Sequence, residues 1–354
     1  MVGRGLDQIL AYPSDPVLHE RYIKNAIDYV KLAEARNGPI PRKVDSSYIW
    51  GEALSELSKE DPQVRIVNLE TSITTSNHWA DKGINYRMHP ENSDVLTAAQ
   101  IDICVLANNH ILDWGEEGLI QTLQTLHGRG VKTAGAGRTR EEAIAPAVVD
   151  LPSRGRVLVF SMATESSGVP PSWAAGKNKV GVNFIKDFSA ATVQWLGQQI
   201  RSHRKERDLV IASIHWGDNW GYEVDEECSA FARSLVDVGV DVVHGHSSHH
   251  IKGLEVYREK LIIYGCGDFL NDYEGIRGFE EYHGEWPVMF FPKVDIPSGK
   301  LVSLRLVPLH LKQFQLSRAT LAESTWIRDV LNREGQKWKT QFSVEIDRSL
   351  KMTW

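Results

Sequence analysis

The residue pattern predicts an α/β protein, and three observations carry that prediction. Short apolar, β-branched runs alternate with longer amphipathic stretches as far as Val243, the rhythm of sheet strands covered by helices. Several of these runs stop at polar residues, and ligands gather at such strand ends in open α/β sheets. Beyond Leu254 the connections shorten, which points to an added antiparallel sheet.

In chain order, the first strand lies at Val64–Val67, followed by a helical pattern near Ser93–Ala99 and a strand at Ile101–Leu106. Helical periodicity over Glu116–Gly128, Thr139–Ile144, Ser189–Glu206 and Glu226–Val238 separates strands at Val131–Ala134, Ala147–Leu151, Val157–Met162, Leu209–Ile214 and Val240–Val243. Leu254–Tyr257, Lys260–Tyr264, Val288–Val294 and Leu301–Pro308 read as the antiparallel sheet, with Ile296-Pro297-Ser298-Gly299 as a hairpin turn. A helix at Leu321–Arg333 and a strand pair at Phe342–Ile346 and Leu350–Trp354 close the chain.

The 354 residues suit one large domain with an appendage. Hydrophobic residues at 42% allow a sizeable core, and a net charge of -6 offers no general attraction for nucleic acid or an anionic membrane. Three cysteines, Cys104, Cys228 and Cys266, make no paired metal spacing and argue against a disulfide framework. No apolar run is long enough to span a bilayer and no signal peptide opens the chain, so a soluble, cytoplasmic protein is expected as written, with an upstream signal or anchor left open. Met1-Val2-Gly3-Arg4-Gly5 reads as the interior of a strand-to-loop junction.

Chemistry concentrates in Asp241-Val242-Val243-His244-Gly245-His246-Ser247-Ser248-His249-His250. Here a strand is expected to end in a glycine turn at Gly245 and present several imidazoles, the commonest metal ligand. Other runs end in Asn68-Leu69-Glu70, in Asn108-Asn109-His110 and in His215. Together these supply carboxylate, carboxamide and imidazole donors for one or two Zn, Mn, Fe or Ca ions. Singly, Glu70 also suits a helix N-terminus, the asparagines suit turns and His215 suits a satisfied core position. Lys82, Arg87 and His89, on the loop after Glu70, could bind a carboxylate or phosphate or form a solvated loop, and Arg4 is a similar candidate. Gly135-Ala136-Gly137 is too short for a phosphate loop. Trp79, Trp114, Trp216 and Trp220 could wall a pocket or pack the core.

As an ordered set, Asn68-Leu69-Glu70, Asn108-Asn109-His110 with Asp113 and Gly115, His215-Trp216-Gly217, Gly245-His246-Ser247-Ser248-His249 and Tyr264-Gly265-Cys266-Gly267-Asp268-Phe269 resemble the CapA family of capsule and poly-gamma-glutamate biosynthesis proteins, within the calcineurin-like metallophosphoesterase superfamily. The resemblance covers nearly the whole chain. It implies a four-layer α/β/β/α sandwich of the metallo-dependent phosphatase type over residues 1–310, with 311–354 a helix and strand extension. By motif, Glu70 takes the bridging acidic position, Asn109 the carboxamide ligand position, and His215, His246 and His249 the imidazole positions. His110 assists charge development on substrate and Asp113 orients it. Asp268 and Asn271 stand at the family's Gly-Asn-Phe turn and would line the substrate pocket. The family's opening Gly-Asp is not present before Met1, and Ser247 replaces a histidine common in relatives.

Three functions follow from the resemblance. The first is a metal-dependent hydrolase that turns an activated water on a phosphoester or a polyanionic, peptide-like substrate. The second is a peptide epimerase like the family's lasso-peptide relative, and the third is an accessory protein that binds polymer without catalysis. The expected partner is a small-molecule, peptide or polyanionic polymer substrate, with no nucleic acid and no membrane segment.

Overall fold

The computed structural model describes residues 1–354, which form a mixed α/β chain with several sheets. Three parallel strands, β1 (Ile66–Asn68), β2 (Ile103–Val105) and β3 (Lys132–Ala134), make the first sheet in that order. The second holds β4 (Ala147–Leu151), β5 (Gly155–Ala163), β6 (Asp208–His215), β7 (Val242–His246), β8 (Leu254–Tyr257) and β9 (Lys260–Ile263). Its order is β8-β9-β7-β6-β5-β4, with β9, β7, β6 and β5 parallel and both edge strands antiparallel. A third, antiparallel group contains β10 (Val288–Asp295), β11 (Lys300–Lys312), β12 (Gln315–Arg318), β13 (Gln341–Val344) and β14 (Leu350–Thr353). The helices are α1 (Ala26–Asn37), α2 (Ala53–Glu60), α3 (Asp94–Ala98), α4 (Gly115–Gly128), α5 (Arg140–Ile144), α6 (Ala190–His203), α7 (Glu226–Asp237) and α8 (Leu321–Gly335).

Side-chain alternation decides what each face of the second sheet meets. Along β6, Val210, Ala212 and Ile214 pack with Leu196 and Ile200 of α6 and Phe231 and Leu235 of α7. Their neighbours Leu209 and Ile211 meet Ile103, Val105 and Ala134 of the first sheet. Burying each such side chain stabilises by about 1.5–3 kcal/mol, so a slip of one residue is strongly opposed. The same parity places Ser213 and His215 on the face away from the helices. In β7, Val243 belongs to the helix-side cluster and Val242 to the opposite one, so His244 and His246 share the face of Ser213 and His215. On the far side of the first sheet, Leu119, Leu123 and Leu126 of α4 pack with Cys104 and Leu106.

Several expectations are corrected. β8 and β9 join the second sheet rather than the antiparallel one, because Arg258 and Glu259, both with positive φ (48 and 62°), make a two-residue hairpin that brings β9 parallel beside β7. Gly245 is no turn: it lies inside β7 opposite Ile214, where a Cβ would stand 2.4 Å from the Tyr264 carbonyl oxygen and 2.7 Å from the Trp216 indole nitrogen. Close packing, not reversal of direction, requires glycine there. The helix expected near Ser93–Ala99 is present as the short α3, entered from a 3-10 turn at Pro90–Ser93. Helices α1 and α2 were not anticipated, since α1 buries only the narrow stripe Ala26, Tyr29, Val30 and Ala33. Cys104 is buried and Cys266 half-buried, and all three thiols are free. No helix is long and apolar enough to cross a membrane.

Candidate metal and acid–base site

The site assembles where the carboxyl ends of parallel strands from both sheets meet. Glu70 follows β1, Asn108 to Asp113 follow β2, and His215 and His246 end β6 and β7 in direct register. The two sheets are joined here by polar contact: His215 Nε2 lies 3.2 Å from Asn109 Oδ1 and 3.9 Å from Glu70 Oε1. Glu70 is held by the Asn68 amide at 3.0 Å, and Asn108 in turn donates to Asn68 Oδ1 at 3.0 Å and to the Leu69 carbonyl at 2.9 Å. Burial pushes the Glu70 carboxyl up to about 7, Asp268 adding to the effect while the positive charges of His249 and Lys82 oppose it.

Behind His215 runs an unbroken polar chain. His215 Nδ1 meets His246 Nδ1 at 2.8 Å, His246 Nε2 meets the Ser213 hydroxyl at 3.0 Å, and Ser213 meets His244 Nδ1 at 3.0 Å. Burial drives His215 and His246 well below the ordinary imidazole range and His244 down to about 4, so all three are neutral at neutral pH. With His244 as the first donor and Asn109 Oδ1 as the final acceptor, each member between them donates and accepts once if the protons run from His244 Nδ1–H to Ser213, from the Ser213 hydroxyl to His246 Nε2, from His246 Nδ1–H to His215 Nδ1, and from His215 Nε2–H to Asn109. His246 therefore has both nitrogens engaged inside the sheet.

His110 sits beside this group. Its Nδ1–H donates to Asp113 Oδ2 at 2.7 Å, and the Tyr86 backbone N–H donates to the same oxygen at 2.6 Å. Lys82, whose side chain is 23% exposed, reaches Asp113 Oδ1 at 2.8 Å and the Asn109 carbonyl. Burial lowers the His110 imidazole to about 4 against the pull of Asp113, and Lys82 lowers it further. The ring is thus neutral, its tautomer set by Asp113 and its Nε2 left as the basic nitrogen.

His249 differs. Burial opposes its charge, but Asp268 at 3.1 Å from Nδ1 overrides this and raises it above the ordinary imidazole value. Asn271 Nδ2 holds Asp268 at 3.0 Å. Ser247, in a left-handed backbone conformation (φ 114°), makes the sharp exit from β7 and anchors to the Gly217 carbonyl at 3.0 Å. His250 turns away, its Nδ1–H donated to the Ile251 carbonyl at 2.9 Å. Of the tryptophans, Trp216 and Trp114 are buried, Trp79 stacks on His19, and Trp220 stands 5.3 Å from His249 with Phe279 stacked on it.

The remaining candidates for substrate contact are placed elsewhere. Arg4 is 3% exposed and is consumed by Asp272 (2.6 and 2.8 Å), Glu20 (3.0 Å) and the Tyr29 hydroxyl (2.9 Å). Its guanidinium also lies over the Tyr86 and Tyr273 rings. Arg87 spends its donors on the Ser76 and Asp15 carbonyls and Asn77 and stacks on Trp114. His89 accepts from the Glu91 N–H as a helix cap. Arg4 commits four of its five N–H donors and Arg87 three inside the protein, which ties both cations to the fold, so these two act as scaffold and His89 as a cap. Sequence reading missed Tyr86 and Tyr273, which share a 3.1 Å hydroxyl contact and set their ring edges against His110 and His249. No sequence pattern marks either, whereas Ser213 was detectable as the residue two before His215 on one strand face.

No three side chains among His, Cys, Asp and Glu gather closely enough to hold a metal ion by themselves. Counting the Asn109 carboxamide, the donors Glu70 Oε1, Asn109 Oδ1 and His215 Nε2 do converge, and this oxygen and imidazole set fits one divalent ion in its chemistry. His246 and His249 are not drawn into that set.

A sequence profile for the family described as bacterial capsule synthesis protein PGA_cap matches residues 1–273. A probable polyglutamine synthesis accessory protein of Mycobacterium tuberculosis is 43% identical over 354 residues, covering 99% of this chain and 93% of the relative. The PGA biosynthesis protein CapA of Bacillus subtilis is 24% identical over 294 residues, 80% of this chain and 73% of that protein. The capsule biosynthesis protein CapA of Bacillus anthracis is 25% identical over 195 residues, 54% of this chain and 46% of the relative.

Proposed function

The chain belongs to the bacterial capsule synthesis PGA_cap family, and from that premise we propose that it is an accessory protein of capsule or polyglutamate synthesis that acts as a metal-dependent hydrolase on a phosphoester or an amide-linked, anionic chain. The observation that carries this reading is the meeting of Glu70, Asn109 and His215 at 3.2 and 3.9 Å beside a neutral His110 whose tautomer Asp113 sets. A divalent ion held by Glu70, Asn109 and His215 would supply positive charge against an anionic substrate oxygen and acidify a water. His110, neutral with Nε2 unprotonated, serves as proton acceptor, and Asp113 keeps that nitrogen aimed and stabilises the imidazolium that forms. Lys82 pairs with Asp113 and, being part-exposed, offers its charge to a carboxylate or phosphate. The packing of α4, the first sheet, the second sheet, and α6 with α7 supports reading the domain as a four-layer α/β/β/α sandwich.

The test is to purify the protein, measure its bound metal, and assay cleavage of bis(4-nitrophenyl) phosphate and of glutamyl oligomers. Glu70→Ala and His215→Ala should lose metal and activity together, while His110→Ala should keep metal and lose about 10²–10⁴-fold in rate. Cleavage unchanged in all three variants sinks the proposal. A second reading, proton exchange at a Cα without cleavage, is favoured by the same unprotonated His110 nitrogen; deuterium uptake from heavy water into an intact peptide would select it.

A further inference from the structure

A cleft of about 430 Å³ lies outside the site just described. It is bounded by α5, by the segment Ala174–Lys177, by Val182–Phe184 and by Trp195 of α6. One stretch of chain separates the two. At Gly168 that stretch lies against Asn109, where a Cβ would be 3.4 Å from the amide nitrogen, and at Trp173 its ring stands 5.2 Å from Lys82 Nζ. The four residues that follow form the cleft wall.

The lining has a particular chemistry. Ile144, Phe184 and Trp195 provide an apolar floor, and Arg140 and Lys177 stand exposed in the lining. Neither cation has a carboxylate within 4.0 Å or a side-chain hydrogen bond, so both charges are available to a ligand. The one acid in the lining, Glu141, is exposed in the first turn of α5 and makes no ion pair within 4.0 Å, although its own backbone N–H and the Thr139 hydroxyl, with the charges of Arg140 and Lys177 contributing, hold its carboxyl below the usual range. Two unpaired positive charges over an apolar floor suit a ligand whose carboxylates are separated by methylene groups. A cavity of this size admits part of a chain rather than a whole polymer.

We propose that this cleft is an exosite that holds a carboxylate-bearing, amide-linked chain, such as a run of glutamyl units, while another part of the same chain lies at the Glu70–His110 site. The proposal rests on the polymer-directed reading given above. Arg140 and Lys177 pair with side-chain carboxylates, and Ile144, Phe184 and Trp195 contact the methylenes. Because both cations are exposed, each contact is worth up to about fivefold in affinity and is weakened by salt.

Calorimetric titration with glutamyl oligomers, run beside glutaminyl oligomers of the same length, tests it. R140E/K177E should reduce glutamyl affinity by more than about tenfold, and glutaminyl oligomers should bind the unaltered protein no better than they bind that variant. Placed in the Glu70→Ala background, R140E/K177E should lower glutamyl affinity by the same factor as in the unaltered protein, which separates the exosite from the hydrolytic reading. The exosite is overturned if R140E/K177E binds glutamyl oligomers like the unaltered protein, or if glutaminyl oligomers bind equally well. Both substitutions are at the surface, and an unchanged circular dichroism spectrum confirms that the variant is folded.

Discussion

Replacing Arg4 by methionine keeps the side-chain length and removes the charge at the centre of a buried network. In the native chain, Arg4 makes two bonds to Asp272 and one each to Glu20 and Tyr29, and the side chains of Arg4, Asp272 and Glu20 are 2, 0 and 4% exposed. Breaking a buried pair by removing one partner costs about 3–5 kcal/mol, because the other charge stays in a poor solvent. An orphaned carboxylate escapes by taking up a proton, at a cost of about 4 kcal/mol at pH 7 and about 1.5 kcal/mol at pH 5 for an acid of ordinary strength. The expected loss of stability is therefore about 4 kcal/mol at pH 7. It shrinks as the pH falls, because a variant that folds with a protonated acid binds more protons than its unfolded chain. Urea unfolding of both proteins at the two pH values reads this directly. A loss under about 1 kcal/mol at pH 7, or a gap that does not narrow at pH 5, refutes the assignment of Arg4 as a scaffold cation.

Because the Glu70 carboxyl is raised to about 7, it is protonated below that pH and must release a proton to hold a cation. Apparent Mn or Zn affinity should fall about tenfold for each pH unit below 7, and titrations in buffers of different ionisation enthalpy should show proton release. A metal ion on His215 Nε2 requires the chain from His215 to His244 to reverse its tautomers, so ¹⁵N spectra should show His244 changing on metal loading. In Ser213→Ala, which cuts the chain, His244 should stay unchanged. His249, raised above the ordinary imidazole value by Asp268, contributes stability that is complete below the unfolded value near 6.5 and lost as pH rises through the folded one. Asp268→Asn should remove that pH dependence in thermal melts and lower the His249 titration midpoint. Tyr86→Phe should perturb the His249 ring resonances and Tyr273→Phe those of His110, since each hydroxyl reaches the far histidine only through the other; purely local shifts would count against coupling.

Alternation and strand-end chemistry were legible from residues alone. The period-2 pattern over Leu209–His215 needs no partner to show that His215 shares a face with Ser213, and the abrupt polar ends after Val67, Leu106 and Val243 mark where donors collect. The strand and helix order from Ala147 to Val243 followed from the same local periodicity. What tertiary structure decided was which donors meet. Asn109 comes to His215 only because Ile103 and Val105 pack on the second sheet, while His246 turns into a chain with Ser213 rather than toward Glu70. It also made scaffold of Arg4 and Arg87, whose partners lie up to 268 residues away. Periodicity reports the face on which a residue stands because the backbone imposes it within a few residues. The partner across that face depends on how separate elements dock, and no local pattern carries that.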